Sequence, residues 1–320
     1  MHHTLDIVIV NWNSGGQLRD CLNALACAET TGLSLQQVVV VDNSSTDGSM
    51  DELETLELPL TVLRNDRNMG FSRACNQGAK QGMADSILFL NPDVRVFRDS
   101  LVKPMTFLNR TEEGRAGIVG IQLVDALGQI TQSCARFPKP ADFFYQMMGL
   151  DRIFKHRFPG HFLEKRAHGN NRQVDQVMGA FFMVRRDLYE ALGGFDERFF
   201  VYYEDLDFSL RASQKGYASW FLADARAFHR GCGTSDAVKK ERLYYYLKSR
   251  IAYVSKHFGR MKGLLLLLGT ILLEPFFRIP MTLFRRPAGE VIDIIGGYGL
   301  LMKHVLRFGI AGGEPSDDTP

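Results

Sequence analysis

Short apolar runs, polar loops and amphipathic stretches alternate through the first part of the chain. Residues 5–10 are mostly β-branched and stop at a polar loop, Asn11-Trp12-Asn13-Ser14-Gly15-Gly16. Leu18, Leu22 and Leu25 then recur at helical spacing, which predicts a helix over 17–28. Residues 38–41 are consecutive valines and end in a second polar turn, Asp42-Asn43-Ser44-Ser45-Thr46-Asp47-Gly48. A helix over 49–56, a strand over 60–63, a loop at 65–70 and a helix over 71–83 follow. Residues 87–90 are a fourth strand, which stops abruptly at Asn91-Pro92-Asp93. This alternation predicts a parallel α/β sheet with both faces covered. Ligands of such sheets sit beyond the carboxyl ends of the strands, and the loops at 11–16, 42–48 and 91–93 all fall at that edge.

The pattern changes from residue 117. Residues 117–124 and 129–133 read as strands of a hairpin joined by Asp125-Ala126-Leu127-Gly128. Residues 137–172 are irregular, basic and aromatic-rich, and predict a mobile loop or a small helical insert. A strand within 174–184, a helix over 186–192, a helix over 204–216 and extended stretches at 220–223 and 226–229 follow. Everything beyond 236 reads helical until 311–320, AGGEPSDDTP, whose composition predicts a disordered tail. The domains expected are 1–235, 236–310 and that tail.

Composition changes this picture little. The chain has 320 residues, 45% hydrophobic and 23% charged, which is ordinary for a globular protein. A formal net charge of +2 gives no reason to expect a nucleic acid partner. Five cysteines without a CxxC pair read as reduced thiols of a cytosolic protein. The amino terminus enters a strand almost at once, so no signal peptide is expected. Residues 255–286 differ in being basic and strongly apolar together. The unbroken apolar part, 263–273, is about half of what a bilayer span needs. A surface-lying amphipathic element is expected, its basic residues facing anionic headgroups.

Four constellations carry candidate chemistry. Asp42, just past a strand end, can accept the imide N–H of uracil or thymine, although Asp and Asn at turns also need no function. Asp93, with Asn91 two residues before it, can hold Mg²⁺ or Mn²⁺ against a diphosphate, since such ions keep waters and substrate oxygens as their other ligands. Glu204, Asp205 and Asp207 open a helix behind Phe199, Phe200, Tyr202 and Tyr203. Aromatic walls beside an acid raise a carboxylate pKa toward general-base use and stack on sugar faces. Charge compensation at a helix start, with Asp207 and Arg211 as a surface pair, is the plainer alternative. His229, at a strand end before a Gly-rich loop, can complete a metal shell with Asp93 or simply be a lone histidine.

VIVNWNSGGQLRDCLNAL, VVVVDNSSTDGS, NMGFSRACNQG, LFLNPDV, GAFFMVRRDLYEALGGFDERFFVYYEDLDFSLR and AFHRGCGTS occur in that order. Together they resemble the family 2 glycosyltransferases of the GT-A fold, most closely the bacterial rhamnosyltransferases of cell-surface polysaccharide synthesis. The resemblance covers about residues 5–235 and implies an α/β fold. The fold implied is a GT-A, Rossmann-like mixed sheet flanked by helices, and a helical C-terminal membrane-associating appendage is expected after it. It implies that Asp42 recognises the base, that Asn11 and Asn13 line the nucleotide, and that Asn68, Gly70, Arg73 and Asn76 lie near nucleotide and sugar. Asn91-Pro92-Asp93 stands in the slot of the metal-binding Asp-X-Asp motif, with Asn91 in place of the first aspartate and Asp93 as the ligand. Asp205, or alternatively Glu204, is the catalytic base implied, His229 reaches metal or diphosphate, and Tyr202 and Tyr203 face the acceptor.

The function implied is an inverting, Mg²⁺- or Mn²⁺-dependent transfer of L-rhamnose from dTDP-rhamnose to a polyprenyl-diphosphate-linked glycan. The enzyme is expected to be peripheral on the inner, cytoplasmic face of the membrane. Another donor, a UDP-hexose or UDP-galactofuranose, is the alternative within the family. A nucleotidyltransferase would need a basic, Gly-rich phosphate loop where Asn11-Trp12-Asn13-Ser14 stands. A non-catalytic sugar-nucleotide-binding protein would bind without turnover.

Overall fold

The computed structural model describes residues 3–51, 53, 57–109, 115–154, 156–158, 160–164, 168–231, 238–283 and 289–309. These divide into two compact units. The first comprises 1–137, 162–197 and 204–234, and the second 138–161, 198–203 and 235–320. The boundary is therefore not a single cut at 235. The second unit also takes in much of the aromatic insert and the stretch just before Glu204. The expected tail at 311–320 lies outside the described residues, as does Cys232.

The first unit is built on β1 (His3–Asn11), β2 (Leu33–Asp42), β3 (Leu60–Arg64), β4 (Ser86–Leu90), β5 (Val94–Val96) and β6 (Ala116–Val124). To these the later chain adds β8 (Arg172–Val174), β10 (Phe181–Arg185) and β11 (Ala218–His229). A small separate pair is formed by β7 (Cys134–Ala135) and β9 (Gln176–Val177). The main strand order is β3-β2-β1-β4-β10-β6-β11-β5, with β8 on β11. β1 to β4 are parallel neighbours, as the alternation predicts. β10 runs antiparallel to both β4 and β6, and β5 antiparallel to β11, so the sheet is mixed. This is the mixed sheet that the resemblance implies; the alternation of the first part predicts only the parallel pairing of β1 to β4, because a fully buried apolar strand reads the same in either direction.

Both sheet faces are covered. Leu5, Ile7 and Ile9 of β1 pack with Leu18 and Leu22 of α1 (Gln17–Ala26) and with Met105 of α3 (Val102–Leu108). Val8 and Val10 point the other way, toward Ala74 and Cys75 of α2 (Phe71–Ala79) and a cluster with Leu188 of α6 (Arg186–Ala191) and Phe208 of α7 (Glu204–Gln214). The strand period of two sorts these side chains into separate layers. One polar residue interrupts β1. Asp6 is buried and receives Arg186 Nη2 at 2.7 Å, while Arg186 also donates to the carbonyls of Ala84 at 2.5 Å and Ala79 at 2.9 Å.

The predicted hairpin forms only in part. β10 pairs with β6 only at Ile118 and Val119, so the end of β6 keeps that edge, and there Asp125 N donates to Gln129 O and Thr131 N to Leu123 O, both at 3.0 Å. Only an isolated Val124–Ile130 bridge remains, and Asp125 closes the turn by accepting Leu127 N and Gln129 N at 2.9 Å. The extended stretches at 220–223 and 226–229 are one strand, β11, with an irregularity between Leu222 and Arg226. Of the helix expected over 49–56, the described residues are 49–51, in turns, and Leu53, at a 3₁₀ position.

The second unit is helical. α4 (Pro140–Met147) and α5 (Leu150–Ile153) form a small helical insert, one of the two alternatives expected there, and α8 (Lys239–Phe258), α9 (Arg260–Leu272), α10 (Glu274–Leu283) and α11 (Gly289–Phe308) follow. Buried Arg250 of α8 and Arg278 of α10 both meet Glu274, which ties α8 to α10 through ionic contacts. Among the described residues no single helix is long and apolar enough to cross a membrane. α9 and α10, bent by 43° at their junction, pass that test only together.

Candidate active site

Parallel pairing of β1 with β2 sets Asn11 directly beside Asp42. Asn11 is fully buried, and its Nδ2 donates toward Asp42 Oδ1 at 3.1 Å, Ser45 Oγ at 3.0 Å and Ser49 Oγ at 2.8 Å. Two hydrogens thus serve three acceptors, one of them shared. Ser14 Oγ donates to Asn11 Oδ1. Asn11 therefore holds the loop from inside and fixes Asp42, rather than lining a ligand as expected. Asn13 accepts Thr46 N at 2.8 Å and sits at a left-handed φ of 50°, a conformation that Asn tolerates better than most residues.

A second set of amides shapes the neighbouring loop. Asn43 Oδ1 accepts from Asn65 Nδ2 at 2.9 Å, and Asn43 Nδ2 donates to Gly70 O at 3.3 Å. Asn68 Oδ1 accepts Gly70 N at 2.9 Å, and Gly70 has φ 83°, which suits glycine at the entry to α2. Arg73, on α2, lies 3.8 Å from Glu197, both half-exposed. Asn76 is a buried fastener. Its Oδ1 accepts Tyr189 Oη at 2.5 Å and Phe195 N at 2.9 Å, and its Nδ2 donates to Phe195 O at 2.9 Å. Sequence reasoning missed Asn43 and Asn65, whose only signal is Asn just past the end of a strand.

Asn91-Pro92-Asp93 turns the chain from β4 into β5, with Val94 N donating to Asn91 O at 3.1 Å. β5 pairs antiparallel with β11, and Val94 is opposite His229. That register brings Asp93 Oδ1 within 3.4 Å of His229 Nε2, both side chains mostly buried. Burial, then the negative charge of Asp93, pushes the buried Cys21 thiol well up. Among the described residues no group of three or more His, Cys, Asp or Glu side chains converges as a metal cage. One carboxylate beside one imidazole instead fits a divalent ion that keeps waters and diphosphate oxygens as its other ligands.

Asp205 belongs to the same edge. Asn91 N donates to Ala180 O at 3.0 Å, and the preceding residue, Gly179, donates its N–H to Asp205 Oδ2 at 2.8 Å. Asp205 Oδ1 accepts Leu206 N at 2.7 Å, and the Gln176 side chain bonds the same carboxylate. Burial outweighs these donors and leaves the Asp205 carboxyl above the ordinary range. Glu204 is pushed well up, first by burial and then by the negative charges of Asp205 and Asp207. Its Oε2 is buried without a hydrogen-bond partner.

Asp207 is fully buried, and its Arg211 partner, at 2.8 Å, reaches on to the carbonyls of Leu192 at 2.8 Å and Gly194 at 2.9 Å. The expected surface pair is thus a buried clamp on the Gly193-Gly194 turn. Tyr202 and Tyr203 lie in the second unit, at left-handed φ of 69° and 72°. Tyr203 is buried there against Tyr246 and Tyr253, which takes its ring out of solvent and away from the acceptor role expected of it.

The model of one protein family, described as glycosyl transferase family 2, matches residues 6–193. The chain is 25% identical over 276 residues to the N-acetylglucosaminyl-diphospho-decaprenol L-rhamnosyltransferase of Mycobacterium tuberculosis, covering 81% of this chain and 87% of that protein. It is 28% identical over 175 residues to the rhamnosyltransferase WbbL of Escherichia coli K12, covering 54% and 62%. Among solved structures it is similar to a mannosyltransferase of Pyrobaculum calidifontis in complex with GDP-Man and Mn²⁺ (TM-score 0.54, 16% identity, 93% of this chain and 80% of that one). That last likeness is one of fold.

Proposed function

The chain belongs to glycosyl transferase family 2, and from that premise we propose that it transfers L-rhamnose from a dTDP carrier onto a glycan borne on a polyprenyl diphosphate lipid. The observation that carries the reading is the short link between the two acids. Asp205 is held by Gly179, and Ala180 beside it is bonded to the Asn91 that leads into Asp93. A proton acceptor and a diphosphate-facing carboxylate therefore share one sheet edge, as attack opposite a leaving group requires. The near full-length alignment with an L-rhamnosyltransferase favours the sugar.

Asp42, fixed by Asn11, accepts the base imide. Asp93 and His229 would hold Mg²⁺ or Mn²⁺, which supplies charge neutralisation for the departing nucleoside diphosphate. Asp205 takes the proton of the acceptor hydroxyl as that oxygen attacks the anomeric carbon, and attack from the far side inverts the centre. A carboxyl raised by burial is nearer to the working pH and better suited to this than an exposed one. The helical second unit supports work on a lipid-linked acceptor at the cytoplasmic membrane face.

A donor panel tests the reading: dTDP-rhamnose, UDP-hexoses and UDP-galactofuranose, scored by protection against heat and by transfer. Protection by dTDP-rhamnose, with turnover lost and binding kept in Asp205→Asn, is expected. Protection by a UDP-sugar alone overturns the choice of donor, and full turnover in Asp205→Asn removes it from the base role.

A further inference from the structure

The outer faces of three helices in the second unit carry apolar side chains that the fold leaves in solvent. On α9 these are Met261, Leu265, Leu268 and Leu272, at helical spacing on one face, with Met261 69% exposed. On α10, Phe276 is 76% exposed and Leu283 57%. α11 falls within the 236–310 region expected to associate with a membrane but beyond the basic, apolar stretch 255–286, and it presents the same pattern. Ile292, Ile295, Met302 and Leu306 share one face, and Leu306 is 82% exposed. Soluble surfaces seldom leave so many large apolar groups in ordered stripes.

The charges around these stripes have one sign. Arg260 and Lys262 flank Met261 on its two sides, and Lys303 and Arg307 border the α11 stripe, all four exposed. Among the described residues of 260–309 no acid is exposed. Glu274 is buried between Arg250 and Arg278, Glu290 meets Lys239 at 3.2 Å, and Asp293 is half-buried. A second copy of the chain would bring the same cations against them. An anionic bilayer surface offers hydrocarbon for the stripes and phosphate for the flanks, and long basic side chains reach back to headgroups from such positions.

We propose that α11, together with α9 and α10, forms one membrane-docking surface for bilayers rich in anionic phospholipid, the helices lying along the interface. The proposal rests on the reading that the enzyme works on a lipid-linked acceptor. It adds that α11 is an essential part of the contact.

The test is flotation of the full chain with phosphatidylglycerol-rich vesicles and with pure phosphatidylcholine vesicles. Binding to the first, weakened by salt and at least about tenfold poorer on the second, is expected. Met302→Glu with Leu306→Glu should lower binding at least about tenfold, and Lys303→Glu with Arg307→Glu should lower it and remove most of its salt dependence. Both pairs are exposed, so unfolding midpoints and heat protection by the nucleotide sugar should match the parent. Undiminished binding in both α11 variants overturns the proposal. So does a dimer in light scattering that the α11 variants dissolve while vesicle binding is absent. Failure of donor protection in the parent chain would instead strike the functional reading and leave the vesicle result standing.

Discussion

Replacing Gln176 with Leu should move the onset of activity to higher pH. Three donors hold the Asp205 carboxylate: Gly179 N at 2.8 Å, Leu206 N at 2.7 Å and the Gln176 side-chain amide. Each favours the charged form, and burial opposes them. A hydrogen bond to a charged group contributes about 1.5–3 kcal/mol, and about 1.4 kcal/mol corresponds to one pKa unit. Losing the Gln176 bond therefore raises the Asp205 pKa further. Leu is close to Gln in size, and Gln176 Oε1 has no partner to strand, so the change removes the donor and little else. The assay is kcat/KM for transfer against pH, whose ascending limb reports the base in the free enzyme. That limb should move to higher pH, with the plateau retained. An unmoved limb refutes the assignment. It is also the outcome expected if Glu204 were the base, since the negative charge of Asp205 already raises Glu204 and Glu204 loses its proton second.

Asp93→Ala should abolish the cation-dependent part of donor protection, weakening donor binding about tenfold or more in the presence of Mn²⁺; equal affinity with and without the ion would remove Asp93 from that role. Arg186→Met strands buried Asp6 without its cation and should cost about 3–5 kcal/mol in urea unfolding, most of it recovered in the Asp6→Leu/Arg186→Met double variant. Full stability in the single variant would show the pair to be dispensable. His168, buried, accepts Ser133 N at Nε2 at 3.1 Å, and burial lowers its pKa. The unfolded chain takes up that proton first, so the contribution of His168 is complete above about pH 6.5 and is lost as pH falls below it. His168→Gln should flatten this acid-side decline, and an identical decline in both proteins would disprove it.

Much of the first unit was legible because its physics is local. Residues 38–41 admit only a buried strand, Leu18, Leu22 and Leu25 only one helix face, and the loops after Asn11, Asp42 and Leu90 follow from where the strands stop. Strand direction was not legible, since Phe181 to Arg185 pack alike whichever way they run. The hairpin shrank to a single bridge, Val124 with Ile130, a pairing length that the run of residues 129–133 does not reveal. Among site residues, the pairing of Asp93 with His229 depends on the β5–β11 register, which no spacing encodes. The burial of Asn11 and Tyr203 was equally hidden, because a polar or aromatic residue at a loop reads as available until its neighbours are in place.

The late arrival of β10 at the middle of the sheet bears on how the protein is made. β4 ends at Leu90 and its outer neighbour β10 begins at Phe181, about 90 residues later. At usual synthesis speeds the ribosome leaves that apolar edge bare for roughly 5–18 seconds. During that interval the nascent chain carries an open strand of Ile87, Leu88, Phe89 and Leu90, the kind of edge that recruits other strands. Fragments that stop short of Phe181 keep it permanently, so translational stalling in this window should yield aggregates rather than a smaller folded enzyme.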